Sequence, residues 1–146
     1  VRRHTYENIL ENGLFTINHI TSNLIEQAHY TSAKFDKNIS EFNKCGFTEE
    51  YLKDFSTPFV KESNLKIGLI HEESVKIKSS NTLMVIGRIL HLIIPDTALS
   101  EEGHIDLNIA DSVGISGLNS YYALDKIGQF PYARVEKNSN YNDKKT

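Results

Sequence analysis

Apolar and polar positions divide the chain into short elements. Tyr6, Ile9 and Leu10 recur at helical spacing after Thr5, and Gly13 stands where a helix ends. This predicts a helix capped by the Thr5 hydroxyl, with Glu7 favourably placed near its positive end. Leu14-Phe15-Thr16-Ile17-Asn18 alternates and reads as a strand with Phe15 and Ile17 on one face. Thr21 or Ser22 caps a second helix over Asn23 to His29, with Leu24, Ile25 and Ala28 inward. Ser40 caps a short helix ended by Gly46. Thr48 to Leu52 reads as another helical turn, and Asp54 to Ser63 as irregular chain broken by Pro58. Leu65, Ile67, Leu69, Val75 and Ile77 share the odd face of a long strand. His71 and Glu73 fall on that face, which calls for a bend, a bulge or a barrel rim there. Ser79-Ser80-Asn81 turns the chain. Leu83 to Ile94 returns, with an apolar run long enough to suggest burial on both faces up to Pro95. Within that run Arg88 is expected to be structural, paired with Glu72 or Glu73 across the hairpin or turned to solvent. A loop or short helix with a Gly turn follows at Asp96 to Asp106. A Gly/Ser-rich bend from Gly114 leads into a short helix at Tyr121-Tyr122, and Phe130 to Arg134 reads as a last strand. The polar tail beyond is expected to lack fixed structure.

Composition narrows the class. The chain has 146 residues, 39 % hydrophobic and 24 % charged, which suits one soluble globular domain. A net charge of −3 and a pI near 6.1 give no electrostatic case for nucleic acid. No apolar run spans a bilayer, since Gly87, Arg88 and His91 interrupt the longest, and no secretory signal is visible. Cys45 is the one cysteine, so internal disulfides and multi-cysteine metal sites are excluded and a reducing cytoplasm fits best. Cys45 itself reads as a small buried side chain without a partner base.

Most catalytic signatures are missing. Gly114-Ile115-Ser116 resembles the start of a nucleophile elbow, but position 118 is Leu where Gly is required. There is no Walker loop, no G-x-G-x-x-G and no His pair at metal spacing. His19, His91 and His104 read as surface or satisfied residues, and Tyr121-Tyr122 as packing. Two stretches keep a functional alternative. Arg2, Arg3 and His4 precede the first helix, whose free N–H groups attract anions; they are either a phosphate site or solvated charge. Tyr30-Thr31-Ser32-Ala33 joins hydroxyls to small residues, as ligand-facing loops and ordinary loops both do.

Taken in order, His4 to Ile9, Gly13 to Asn18, Ala28 to Phe35, Ser40-Glu41-Phe42 and Gly46-Phe47-Thr48 resemble the flavin reductase-like family. Gly103 to Asp106 and Gly117 to Tyr121 are similar to its closing segments. The resemblance implies a mainly β fold with short helices, an FMN-binding split β-barrel over residues 1–134 followed by a tail at 135–146. It also implies a homodimer with FMN near the interface and hydride transfer from NAD(P)H to flavin, with a partner oxygenase as receiver. Thr5 with Arg2, Arg3 and His4 then match the phosphate side, and Tyr30, Thr31, Ser32 and Ala33 the flavin. Gly117 and Tyr121 match the nicotinamide side. No catalytic side chain is expected, because the cofactor carries the chemistry. Family members carry several strands before the segment that begins here, so Val1 is expected not to be a natural start. Ser116-Gly117 also replaces the family's final Gly-Gly. An FMN-holding electron carrier and a cofactor-free dimerisation module are the alternative readings.

Overall fold

The computed structural model describes residues 4–135. Helix α1 (His4–Asn12) leads into strand β1 (Leu14–Asn18), and a 3-10 turn at Ser22–Leu24 into α2 (Ile25–Tyr30). Helix α3 (Glu41–Cys45) precedes β2 (Glu49–Leu52), β3 (Phe55–Val60), β4 (Lys66–Ile77) and β5 (Thr82–Ile93). After a 3-10 turn at Asp96–Ala98 come β6 (Val113–Ser116) and β7 (Ser120–Ala123). The architecture is mainly β with short helices. An antiparallel sheet of order β1-β4-β5 is joined by the hairpins β2–β3 and β6–β7. No helix among the described residues is long and apolar enough to cross a membrane.

The locally signalled elements form as expected. Gly13 takes a positive φ of 68° and its N–H donates to the Ile9 carbonyl at 2.8 Å, closing α1 with a left-handed residue. Its carbonyl accepts from His71 N–H at 2.8 Å, so the stop of α1 also starts the pairing of β1 with β4. Ser40 Oγ accepts from Asn43 N–H at the start of α3, and Gly46 ends that helix. Two local details differ. His4 is already helical, so Thr5 lies within the first turn rather than capping it. Neither Thr21 nor Ser22 caps α2, which begins at Ile25 after the 3-10 turn, because their hydroxyls donate to Asn23 Oδ1 and Asp111 Oδ2.

The long β4–β5 hairpin runs in register from Lys66 opposite Ile93 to Ile77 opposite Thr82. The irregularity expected near His71 is a register shift between His71 and Glu73, which leaves Glu72 as the extra residue. A second shift, between Gly68 and Leu69, lies on the other side of His71. Burial of β5 on both faces is not observed. Leu83, Met84, Ile86, Ile89, Leu90 and Leu92 are all exposed. The physical reason is topological: among the described residues β5 pairs only with β4 and forms the sheet edge. Arg88 follows suit, since its Nε donates to Glu72 Oε1 at 2.7 Å with both side chains in solvent.

Four expectations fail on the irregular stretches. Thr48 to Leu52 contains no helical turn and Asp54 to Ser63 is not irregular; they form the β2–β3 hairpin, with Glu49 opposite Val60 and Leu52 opposite Phe55. Pro58 is tolerated because it falls in the register slip between Glu50 and Leu52, where ladder bonds are interrupted. The hairpin supplies the centre of the core: Phe55 and Phe59 are fully buried with ring centroids 5.3 Å apart. Gly68 makes room for them, since a Cβ there would lie 2.9 Å from Phe59 Cζ. The bend after Gly114 does not enter a helix but forms β6–β7, with Ile115 opposite Tyr121. Phe130 to Arg134 has no strand. The polar tail from Glu136 onward lies outside the described residues.

Two side-chain seams tie β1 to β3. Thr16 Oγ1 donates to the Pro58 carbonyl at 2.9 Å, and Val60 N–H donates to Asn18 Oδ1 at 3.0 Å. The polar face of β1 therefore looks onto the hairpin.

Candidate functional site

A cavity of about 600 Å³ opens between α1, β1, α2, α3 and β3. Helix α1 presents Thr5, Asn8, Ile9 and Asn12 to it, a single face at helical spacing. Strand β1 contributes Thr16 and Asn18, and the end of α2 contributes Ala28 and Thr31. Phe42 and Phe47 add aromatic walls, and Glu41 a carboxylate. Thr5 and Asn8 are exposed at its mouth, whereas Ile9 is buried at its floor. Its polar surface is thus chiefly hydroxyl and amide, which suits binding by hydrogen bonds rather than proton transfer.

The expected site residues are only partly brought together. Arg2 and Arg3 lie outside the described residues, and His4 is exposed at the start of α1. Thr5 and Thr31, far apart in sequence, meet at the cavity. Tyr30 does not line it; its ring stands edge-on to Phe35 with centroids 5.3 Å apart. Ser32 and Ala33 do not line it either.

The donors of this turn are already engaged. Thr31 Oγ1 donates to the Ala28 carbonyl at 2.7 Å, and Ser32 Oγ to the His29 carbonyl at 2.7 Å. The N–H groups of Thr31, Ser32 and Ala33 donate to carbonyls of α2, completing its C-terminal turn. A ligand meeting Thr31 would find an acceptor oxygen, not a free donor. The loop composition carried no sign of this, because helix-end bonding depends on where α2 stops.

Gly117 has a positive φ of 63° at the tip of the β6–β7 hairpin. Tyr121, on β7, meets His29 across the fold, with its hydroxyl 3.0 Å from Nδ1. His29, Asn8 and Asn12 are residues that the sequence reading did not single out. The spacing of Thr5, Asn8 and Asn12 was the available signal, a polar stripe beside the apolar one of Ile9.

His19 also lines the cavity; its Nδ1 lies 3.1 Å from Ser112 Oγ, and burial holds its pKa below the ordinary imidazole value. Burial, with the Glu41 carboxylate in support, pushes the Cys45 thiol up, as befits a packed side chain rather than a nucleophile.

The flavin reductase-like domain model matches residues 1–111. A split-barrel-domain protein of Shewanella frigidimarina, assigned as a flavin reductase, superposes with a TM-score of 0.87 at 49 % identity, covering 90 % of this chain and 66 % of its own. Component B of nitrilotriacetate monooxygenase from Bacillus cereus superposes with a TM-score of 0.76 at 21 % identity, covering 88 % and 65 %. The FMN-binding domain of a flavin reductase-like enzyme from Shewanella baltica gives 0.69 at 19 % identity, covering 87 % and 68 %. The chain therefore has the split-barrel fold of these proteins and spans about two thirds of their length.

Proposed function

Since the chain belongs to the flavin reductase-like domain family, we propose that it is an FMN-binding oxidoreductase that passes hydride from NAD(P)H to flavin. The observation that carries this reading is the convergence of Thr5 and Thr31 on one cavity rich in hydroxyl and amide groups. FMN combines a flat ring, a polyol chain and a phosphate, and the residues present fit such a group. Phe42 and Phe47 suit an aromatic ring, and Asn8, Asn12 and Asn18 suit hydroxyls. Thr5, in the first turn of α1, lies where unpaired N–H groups and the helix dipole favour a phosphate, with Arg2, Arg3 and His4 preceding it in sequence.

FMN held there would supply an electron-accepting ring for hydride from the nicotinamide. The protein's task is to hold and orient. The α1 face fixes the phosphate and polyol end. Thr31 Oγ1, its proton committed to Ala28, offers an acceptor to a ring N–H. The burial of Ile9 and Leu24 gives the cavity an apolar floor that limits water. No general acid is needed at this stage, in keeping with a cavity whose polar lining is chiefly hydroxyl and amide.

We place the protein in the cytoplasm as a homodimer acting on NAD(P)H and free flavin and handing reduced flavin to a partner oxygenase. The apolar residues left in solvent along β5 support the dimer.

Titration with FMN, followed by flavin absorbance, and NADH or NADPH oxidation assays with added flavin test the reading. Replacing Arg3 and Thr5 together by Ala should weaken FMN binding by about 1–3 kcal/mol, the scale of charge-assisted hydrogen bonds. Unchanged affinity in that variant would refute the phosphate assignment. A colourless protein that takes up no FMN would refute the function.

A further inference from the structure

Around β1 the cavity wall carries the polar side chains of Thr16, Asn18, His19 and Ser63. Most of their polar atoms are engaged within the fold. Thr16 Oγ1 donates to the Pro58 carbonyl at 2.9 Å and accepts from the Asn18 amide at 3.0 Å. Asn18 Oδ1 accepts from Val60 N–H at 3.0 Å. The Ser63 hydroxyl faces the carbonyls of His19 at 2.7 Å and Leu65 at 3.0 Å. His19 differs. Its Nδ1 lies 3.1 Å from Ser112 Oγ, but its Nε2 has no partner among the described residues.

The imidazole is held from behind. Ser112 is buried, its N–H donates to the Leu107 carbonyl at 2.9 Å, and it bridges Thr21. The His19 N–H donates to the Leu65 carbonyl at 2.9 Å, so backbone and ring are both fixed. No buried side-chain nitrogen or oxygen among the described residues lacks a partner. Nε2 is therefore open to approach, and the space that His19 borders is the cavity. Burial disfavours the imidazolium, so the ring is neutral near pH 7. A neutral ring offers no charge to a phosphate. A hydroxyl suits it in either tautomer, donating to a bare Nε2 or accepting from Nε2–H.

We propose that His19 is a ligand-binding residue of the cavity, whose Nε2 takes a hydroxyl of a polyol chain, the ribityl chain when the ligand is FMN. This rests on the FMN reading given above and adds to it the group that recognises the polyol. Ser112 orients the ring by holding Nδ1. The two ring nitrogens thus have separate tasks, one inside the fold and one toward the ligand. Amide side chains can tell them apart. Asparagine can replace Nδ1 toward Ser112 but is too short to reach the place of Nε2, whereas glutamine reaches it with a group that donates or accepts. Flavins divide the same way. FMN and riboflavin carry the polyol, and lumiflavin has the ring without it.

The test titrates the full chain and its His19→Asn and His19→Gln variants with FMN, riboflavin and lumiflavin near pH 7, followed by flavin fluorescence. Urea midpoints check that each variant is folded. His19→Asn should weaken FMN and riboflavin about five-fold each, the scale of one neutral hydrogen bond, and leave lumiflavin within about two-fold. His19→Gln should hold all three within about two-fold of the unaltered protein. A purely structural His19, acting through Ser112, gives the reverse order, with asparagine tolerated and glutamine not, and overturns the proposal. Lumiflavin binding that falls in step with FMN overturns it too, as does a His19→Asn variant that binds FMN and riboflavin undiminished. If the unaltered protein binds none of the three flavins, the FMN reading fails and the role of His19 fails with it. If FMN binds and neither variant changes its affinity, only the present proposal fails.

Discussion

Replacing Glu50 by Gln should destabilise the protein more than replacing its partner Lys66 by Met. Lys66 opens β4 with its side chain only 7 % exposed, and its ammonium donates to Glu50 Oε2 and, at 3.0 Å, to the Lys61 carbonyl. Glu50 lies on β2 with 37 % of its side chain in solvent. The pair therefore pins the β2–β3 hairpin to the sheet from a half-dry site. Two unit charges near 4 Å attract by about 4 kcal/mol at an effective dielectric of about 20, and the desolvation of Lys66 offsets much of it. Replacing the carboxylate by an amide leaves the ammonium buried with neutral acceptors alone. Breaking a fully buried pair costs about 3–5 kcal/mol; the exposure of Glu50 lowers the expectation to about 2 kcal/mol. Lys66→Met removes the charge and keeps the apolar stem, so its cost should stay within about 1 kcal/mol. Urea unfolding at pH near 7 and fixed protein concentration, followed by far-UV and near-UV circular dichroism, measures both. A Glu50→Gln variant as stable as the unaltered protein would refute the reasoning. So would a Lys66→Met variant that loses more than Glu50→Gln.

Stability should also depend on pH through His19. Burial lowers its folded pKa below the unfolded value of about 6.5, so the unfolded chain binds more protons between the two values. This contribution is full above about pH 6.5 and is lost as pH falls from there toward the lowered folded value. His19→Gln should flatten that part of the curve of urea midpoint against pH; an unchanged curve would remove His19 from the account. Gly68→Ala should cost about 1–3 kcal/mol, because its methyl would sit 2.9 Å from Phe59 Cζ and 3.2 Å from Phe55 Cζ, both on fully buried rings. An unaltered unfolding midpoint would mean that the core yields there.

Helix α1, strand β1, helix α3 and the β4–β5 hairpin were legible because their signals are local. Gly13 and Gly46 mark helix ends, Ser40 marks a start, and the clash of His71 and Glu73 with an apolar face marks a bulge. The β2–β3 hairpin was not legible. Its strands are short, Glu49-Glu50-Tyr51 has no clean period, and Pro58 argues against a strand until its place in a register slip is known. The same holds for β6–β7, where Tyr121-Tyr122 suits helix or strand until Ile115 stands opposite Tyr121. The run from Leu83 to Ile93 misled in the other direction. Hydropathy records the tendency to be buried, but not whether a neighbouring strand is present to do it.

For the site, the ordered segments from His4 to Thr48 were enough to indicate the family, and Thr5 and Thr31 were named from them. Their meeting at one cavity, the loss of the Thr31 and Ser32 donors to the end of α2, and the contact of His29 with Tyr121 were settled by the tertiary fold. The sequence by itself determined which backbone segments turn, stop and alternate, because those preferences act over a few residues. Only the tertiary structure decided which groups face one another and which remain free to bind, because a hydrogen bond made within the fold is one a ligand no longer finds.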